Sequence, residues 1–449
     1  MTNIKEASYY SIIDLSIISR DGQKSIRLDH VFSELTLVEN VLENTMRGSV
    51  RITDSSGILE AFPIHGDEYI HIEFSKERDM RSDDDKIDYT GFIYKISDRG
   101  HPEGKQSMQS FILYFASVEQ MISRKNKVVQ NFSGKISKIA QKVFKNEFED
   151  GRLDILPLTN LSRTTQKTLE VESTLDNSNI TFPTLSPIKT MNYLADEAYS
   201  ESKRGSFNTT FLFFEDRESY KFVSLEKMLD DQRNNELEEF FFRQADIGED
   251  ITYNSVRTMR NFNIENTFDI LNSALRGHFG STHVTFDPLT KRHYQSEFSY
   301  DDKFDDLTHV DNYRTIENDF FTSGSEMSLV TTGTTNFGAS KSSYIDGKDD
   351  VFYMKEEEIP QIRNSRFKQL LGSQSVSFTV AGNPKRKLAE VINLWLPSIM
   401  KIGEPDRAKF DKFYSGRYLI TKIEHVLIPG EYNMNITAVK DGLWGKSNE

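Results

Sequence analysis

Short runs of alternating apolar and polar residues fill the first third of the chain and return near its end. Gly48-Ser-Val-Arg-Ile-Thr-Asp-Ser-Ser-Gly57 alternates through Val50 and Ile52 and closes on a Ser-Ser-Gly turn. Asp67-Glu-Tyr-Ile-His-Ile-Glu-Phe74, Tyr89-Thr-Gly-Phe-Ile-Tyr-Lys-Ile96 and Gln109-Ser-Phe-Ile-Leu-Tyr-Phe-Ala116 follow. Side chains alternate between the two faces of a strand, so each run buries one face. Strands this close together, with little helical pattern between them, predict a small barrel or sandwich.

The runs at the end repeat those at the start in order and spacing. Ser49-Val-Arg-Ile-Thr53 has a counterpart in Ser375-Val-Ser-Phe-Thr379, and Tyr89-Thr-Gly91 has one in Tyr414-Ser-Gly416. Ser49 to Gly91 is 42 residues and Ser375 to Gly416 is 41; Ala116 then lies 25 after Gly91, and Ala438 lies 22 after Gly416. This order predicts a duplicated unit. Gly91 and Gly416 each suit a tight turn or bulge at a strand start. Homo-oligomers usually close into rings, and three chains with two units each would set six similar barrels around one axis.

Between the ends the period changes. Ile136, Ile139, Ala140, Val143 and Phe144 fall at helical spacing, and Gly151 stops the run. Residues 157–185, rich in Ser, Thr, Asn and Pro, read as loop. Ser186-Pro187 marks a helix start, with Ile188, Met191, Leu194, Ala195 and Ala198 as its apolar stripe. Phe211–Val223 reads as a hairpin with a polar tip. Asp83-Asp84-Asp85 reads as a charged loop, and Thr331–Thr335 and Gly338–Ser343 as mobile loop. From about 365 the pattern returns to strands. The fold class is α+β and β-dominated, with two similar tube-type antiparallel β-barrels flanking a mixed α/β middle region. The divisions fall at 1–120, 121–224, 225–364 and 365–449, and strands from the middle region can complete the second barrel.

A chain of 449 residues is long enough for two to four domains. Its 12% aromatic share supports a packed core, despite only 37% hydrophobic residues. With no cysteine, disulfides, thiolate metal sites and cysteine nucleophiles are excluded. A formal net charge of -14 without a basic run argues against a phosphate-gripping nucleic-acid binder. Asp14 interrupts the apolar run from Ile12 to Ile18, and no stretch reaches the length of a membrane span, so neither leader nor membrane insertion is expected. The sequence holds no Gly-x-Ser-x-Gly elbow, phosphate-binding loop or His-Glu-x-x-His helix. His278, His283 and His293 fit no standard zinc spacing, and Asp301-Asp-Lys-Phe-Asp-Asp306 lacks the glycine of a calcium loop. No catalytic residue, metal or cofactor is expected.

Phe413-Tyr-Ser-Gly-Arg-Tyr-Leu-Ile-Thr-Lys-Ile-Glu-His425, followed by Glu431-Tyr-Asn-Met-Asn-Ile-Thr-Ala-Val-Lys-Asp441, resembles the closing strands of the baseplate hub proteins of contractile-tailed phages. The Phe213-Phe-Glu-Asp-Arg217 hairpin and the Arg366-Phe-Lys-Gln segment are also similar to that family; Gly430-Glu431 and the Trp444 tail depart from it. The resemblance implies a homotrimeric ring above a cell-puncturing spike, with paired tube-like barrels and a channel continuous with the tail tube. It implies a virion baseplate assembled in the host cytoplasm. The implied partners are the chain itself, spike protein and tail tube protein, then tape-measure and baseplate wedge proteins, with DNA passing unread. Type VI secretion hubs share this architecture; a glycan-binding module and a cell-wall hydrolase are the other classes. Gly91, Tyr414, Ser415, Gly416, Tyr418, His425, Tyr432, Lys440 and Asp441 are the structural or interface candidates. An acidic chain that passes DNA is expected to line its channel with acidic side chains.

Overall fold

The computed structural model describes residues 8–76, 86–101, 108–149, 167–175, 177–200, 208–232, 236–242, 256–266, 269–287, 291–311, 313–314, 328–332, 359–372, 374–398, 410–411 and 413–443. Gly151, Asp83 to Asp85, residues 338–343 and Trp444 lie outside them. The first end gives β1 (Ser11–Ile18), β2 (Ser25–Arg27), β3 (Phe32–Asn40), β4 (Arg47–Asp54), β5 (Tyr69–Ser75), β6 (Lys86–Gly100) and β7 (Gln109–Ser117). The middle gives β8 (Val128–Lys135), β9 (Thr168–Val171), β10 (Asn177–Leu185), β11 (Phe211–Glu215), β12 (Ser219–Ser224), β13 (Glu238–Phe241), β14 (Asn261–Asn266), β15 (Gly280–Asp287), β16 (Arg292–Ser299) and β17 (Ser328–Thr332). The last end gives β18 (Gln374–Ala381), β19 (Val391–Trp395), β20 (Gly416–Ile428) and β21 (Glu431–Lys440).

The alternating runs are strands, and their apolar members point inward: Val50 and Ile52 in β4, and Ile70, Ile72 and Phe74 in β5, are all at most 1% exposed. Thirteen strands join in one sheet, in the order β14-β18-β21-β20-β3-β4-β7-β6-β5-β1-β2, with β19 beside β20 and β13 beside β19. The two ends of the chain meet where β20 pairs antiparallel with β3, from Lys422 opposite Asn40 to Leu427 opposite Leu35. One core runs beneath both ends, from Leu15 and Ile17 to Met434 and Ile436. The β-dominated character expected from the sequence is present; two distinct barrels are not shown, and thirteen of the described strands form one large, mainly antiparallel sheet over a common core.

Within that sheet the strand order repeats. The unit β3-β4-β7-β6 matches β14-β18-β21-β20, and each fourth strand begins against an extra neighbour, β5 or β19. A bulge fixes the register. The pairing shifts between Ile93 and Lys95 in β6 and between Ile420 and Lys422 in β20, so Ile93 corresponds to Ile420. Gly91 then falls on Tyr418, and, through the cross-strand partners, Ser49 falls on Ser377. The sequence alignment of the repeat is two residues out at both places, because it matched glycines that do different work. Gly416 starts its strand at φ 123°, a conformation that favours glycine. Gly91 lies inside β6, where a Cβ would sit 2.8 Å from the Tyr89 ring and 3.1 Å from the Ala116 carbonyl.

A second core packs beneath the middle of the chain. The helix Ile136–Phe144 buries its predicted stripe, and Pro187–Glu197 begins after Ser186 with Pro at its first position and buries Met191, Leu194 and Ala195. Residues 168–171 and 177–185, read as loop, are strands instead: β9 pairs with β12, and β10 pairs with β8. From Ile359 to Gly372 the chain is helical, so the strands of the last end start at Gln374 rather than 365.

Gly48 in β4 has no room for a side chain: a Cβ there would collide with the Thr36 carbonyl and the Phe115 ring. Gly48→Ala is expected to lower stability by about 1–3 kcal/mol through overpacking. Gly100→Ala, with nothing within 4 Å of the new methyl, serves as its near-neutral control. Denaturant titration of both variants checks this.

Candidate functional site

The solvent-facing side of the duplicated units is a continuous surface that the strand pattern builds. On β14 it presents Asn261 and Asn263, on β18 Ser375, Ser377 and Thr379, and on β21 Asn433, Asn435 and Thr437. The face continues through Thr36 and Asn40 of β3 and Ser49 of β4. Charges are sparse and mixed: Arg47, Arg51, Lys95 and Lys422 stand among Glu34, Glu424 and Glu431. Glu431 pairs with Arg260, and Lys422 lies 3.6 Å from Glu424. The face mixes hydroxyls and amides with the half-buried Val38, Val426 and Ile428 and with charges of both signs, the exposed Glu265 of β14 among them. Such a surface gives a passing polyanion neither strong attraction nor strong repulsion.

Behind this wall the sequence candidates fall into two buried groups. At the β3–β20 joint, the Tyr432 hydroxyl lies 2.7 Å from His425 Nδ1, and His425 Nε2 lies 2.8 Å from Glu39 Oε1. A carboxylate only accepts, so Nε2 carries the proton, and in the neutral ring Nδ1 accepts from Tyr432. Burial works to raise the Glu39 carboxyl. The His425 bond and the nearby Arg217 and Lys167 charges outweigh that and hold it below the usual range. Burial pushes the Tyr432 hydroxyl well up.

The same joint holds the β11–β12 hairpin. Arg217 N donates to Glu39 Oε2 at 3.1 Å. Glu215 accepts from Met46 N at 2.7 Å, from Ser117 Oγ at 2.5 Å and from Lys167 Nζ at 2.7 Å. Asn44 Nδ2 donates to the Phe213 carbonyl at 2.7 Å.

The second group closes the far end of β21. Lys440 Nζ donates to the Ser415 carbonyl at 2.8 Å, lies 3.5 Å from Asp311 and sits 5.2 Å above the Tyr418 ring. Ser415 Oγ bonds both N and O of Leu396, and the Tyr418 hydroxyl donates to the Tyr414 carbonyl at 2.6 Å. Asp441 accepts from Val310 N at 2.9 Å, lies 3.0 Å from His309 Nδ1 and 3.2 Å from Arg366. Arg366, fully buried in the helix Ile359–Gly372, also lies 3.6 Å from Glu226. Gly91 belongs to neither group.

The residues that sequence reading missed are Glu39, Lys167, His309 and Glu226; Glu215 lies within the Phe213–Arg217 hairpin that it singled out. Of the histidines weighed as ligands, His278 is buried with Nδ1 3.0 Å from the Ser365 carbonyl, and His283 is buried on β15. The acidic run at Asp301–Asp306 forms a helical turn, with Asp301 paired to Arg314.

Two tail proteins have the same arrangement of the chain. The tail protein from Neisseria meningitidis MC58 superposes with a TM-score of 0.53 over 97% of this chain and 98% of its own, at 9% identity. The prophage MuSo2 43 kDa tail protein from Shewanella oneidensis superposes with 0.53 over 96% and 99%, at 10% identity. This chain has their fold. No family model matches the sequence, and no curated protein matches it either.

Removing His425 leaves Glu39 buried without its main partner. We expect His425→Ala to destabilise by about 3–5 kcal/mol and Tyr432→Phe, which deletes one hydroxyl, by about 0.5–1.5 kcal/mol. Equilibrium unfolding of the two variants gives the order.

Acid should also act on the second group. Burial, with the Arg366 and His309 charges, lowers His278 from 6.5 to about 4 against its Ser365 bond and Asp441. Its contribution to stability is full above pH 6.5 and is lost as the pH falls toward 4. Asp441 is lowered to about 2: burial opposes the shift, but His309 and Arg366 outweigh it, so its contribution survives until the pH falls below 3.8. Burial raises Asp311 to about 6, which acts in the opposite sense between pH 6 and 3.8. His278→Asn should therefore unfold closer to the wild-type temperature at pH 4.5 than at pH 7.5, as read by calorimetry.

Proposed function

We propose that the chain is a non-catalytic structural subunit of a phage tail: a homotrimeric hub that joins a three-fold spike to a six-fold tube, with its polar sheet face lining the passage. The observation that carries this reading is the duplicated four-strand unit, in a chain that has the fold of tail proteins over nearly its whole length. One chain supplies two equivalent units, so three chains around an axis supply six. That number lets a three-fold object meet a six-fold one without a change of subunit. In this reading the wall of the passage carries mixed charge among polar and half-buried apolar residues rather than a mainly acidic lining, which revises the expectation from net charge. The wall carries Arg47, Arg51, Lys95 and Lys422 beside its glutamates.

The direct test is the solution mass by light scattering, followed by imaging of the particle. The expected mass is three times 51.8 kDa, in a ring with an open centre. A monomer at high concentration, both alone and with spike protein, would overturn the trimer. A zymogram and a glycan array then separate the hydrolase and glycan-binding classes.

A further inference from the structure

The joint between β20 and β3 is a template for a second joint that the chain cannot make by itself. In the repeat, β6 stands where β20 stands, and β14 stands where β3 stands. β20 uses its second half to pair with β3, while the corresponding half of β6, from Lys95 to Gly100, pairs only with β7 among the described residues. β14 pairs only with β18 among the described residues. The chain thus displays two half-joints of matching type: β14 at one end of the sheet path, and the second half of β6, beyond the residues that pair with β5. We propose that the outer edge of β6 pairs antiparallel with β14 of a second copy, repeating the β20–β3 joint between chains; this rests on the ring reading and names the seam.

The register follows from the shared partners. Gly100 pairs with Ser110, which pairs with Thr53; Val426 pairs with Asn433, which pairs with Ala381. Gly100 therefore takes the place of Val426. Asn263 pairs with Ser377 as Thr36 pairs with Ser49, so Asn263 takes the place of Thr36. Val426 faces Thr36 inside the chain, and Gly100 of one copy faces Asn263 of the next.

Three observations support the seam. Lys95 occupies the place of Lys422, which pairs with Asn40 inside the chain, so a lysine there does not block strand pairing. Open strand edges with unpaired backbone groups recruit another strand unless they are covered. Directly after β14, the helix Ile270–Leu275 leaves Leu271 and Leu275 exposed at 76% and 57%, apolar surface of the kind an association covers. The seam also differs from its template. Where the internal joint buries His425 against Glu39, β6 has a second register shift between Ser97 and Gly100, with Asp98 at φ 52°. The joint between copies is thus polar and lacks the buried relay.

The absence of native cysteine makes a cross-linking test clean. Gly100→Cys and Asn263→Cys are combined in one chain and oxidised, with the mass of the same sample measured beforehand. The expected result is a reducible ladder of two and three chains, at least tenfold more abundant than with either single variant. As an internal control, Thr36→Cys with Val426→Cys should lose its free thiols at monomer mass. If the sample is trimeric and the control closes, but the double variant links no more than the singles, the seam is overturned and the ring reading stands. A sample that stays monomeric and unlinked, both alone and with spike protein, overturns both.

Discussion

The pairing of β20 with β3 is the interaction on which the molecule depends. It turns two strand units far apart in sequence into one sheet, and it puts one core beneath both. It also creates the buried place where Glu39, His425 and Tyr432 meet, and the β11–β12 hairpin is fastened there by Arg217 and Glu215. A buried carboxylate is tolerated only when it is paired and hydrogen-bonded. The hairpin and the joint therefore hold one another in place, and the second core beneath residues 118–222 inherits its position from them.

How much was legible in the sequence depended on how local the signal was. The alternation in β4, β5, β6 and β7 was readable because one side of each strand is buried and the other is not, which leaves a period of two in the letters. The stripe of Ile136–Phe144 was readable for the same reason at helical spacing. Strands β9 and β10 were not, since β10 is rich in Asn, Ser and Thr, β9 is only four residues long, and their pairing is supplied by β12 and β8. The repeat was visible as an order of runs, but its register was not. Gly91 makes space beneath a tyrosine ring and Gly416 turns the backbone, and one letter stands for both.

The buried ionic groups were least legible. His425 and Glu39 are 386 residues apart, and nothing near either announces the other. The candidates drawn from the last strands, Tyr414 through Asp441, were found as a pattern of letters. The structure explains that pattern by burial: Lys440, Asp441 and Ser415 are each tied to groups in segments before them, which restricts what can replace them. The exposed polar face carried no motif at all. It is written as the alternate letters of the same strands, the ones that a search for apolar residues discards.

The joint also has a consequence during synthesis. β3 leaves the ribosome long before its partner strand β20: His425 follows Glu39 by 386 residues. Until then the first unit has an edge without its native neighbour, over a core whose other wall does not yet exist. Strands left open in this way are the points at which nascent chains capture one another. Contacts that span most of the chain also slow the closing step. Scattered charge on the outer face works against such capture. The same charges that stand on a finished wall thus guard the chain while it is incomplete.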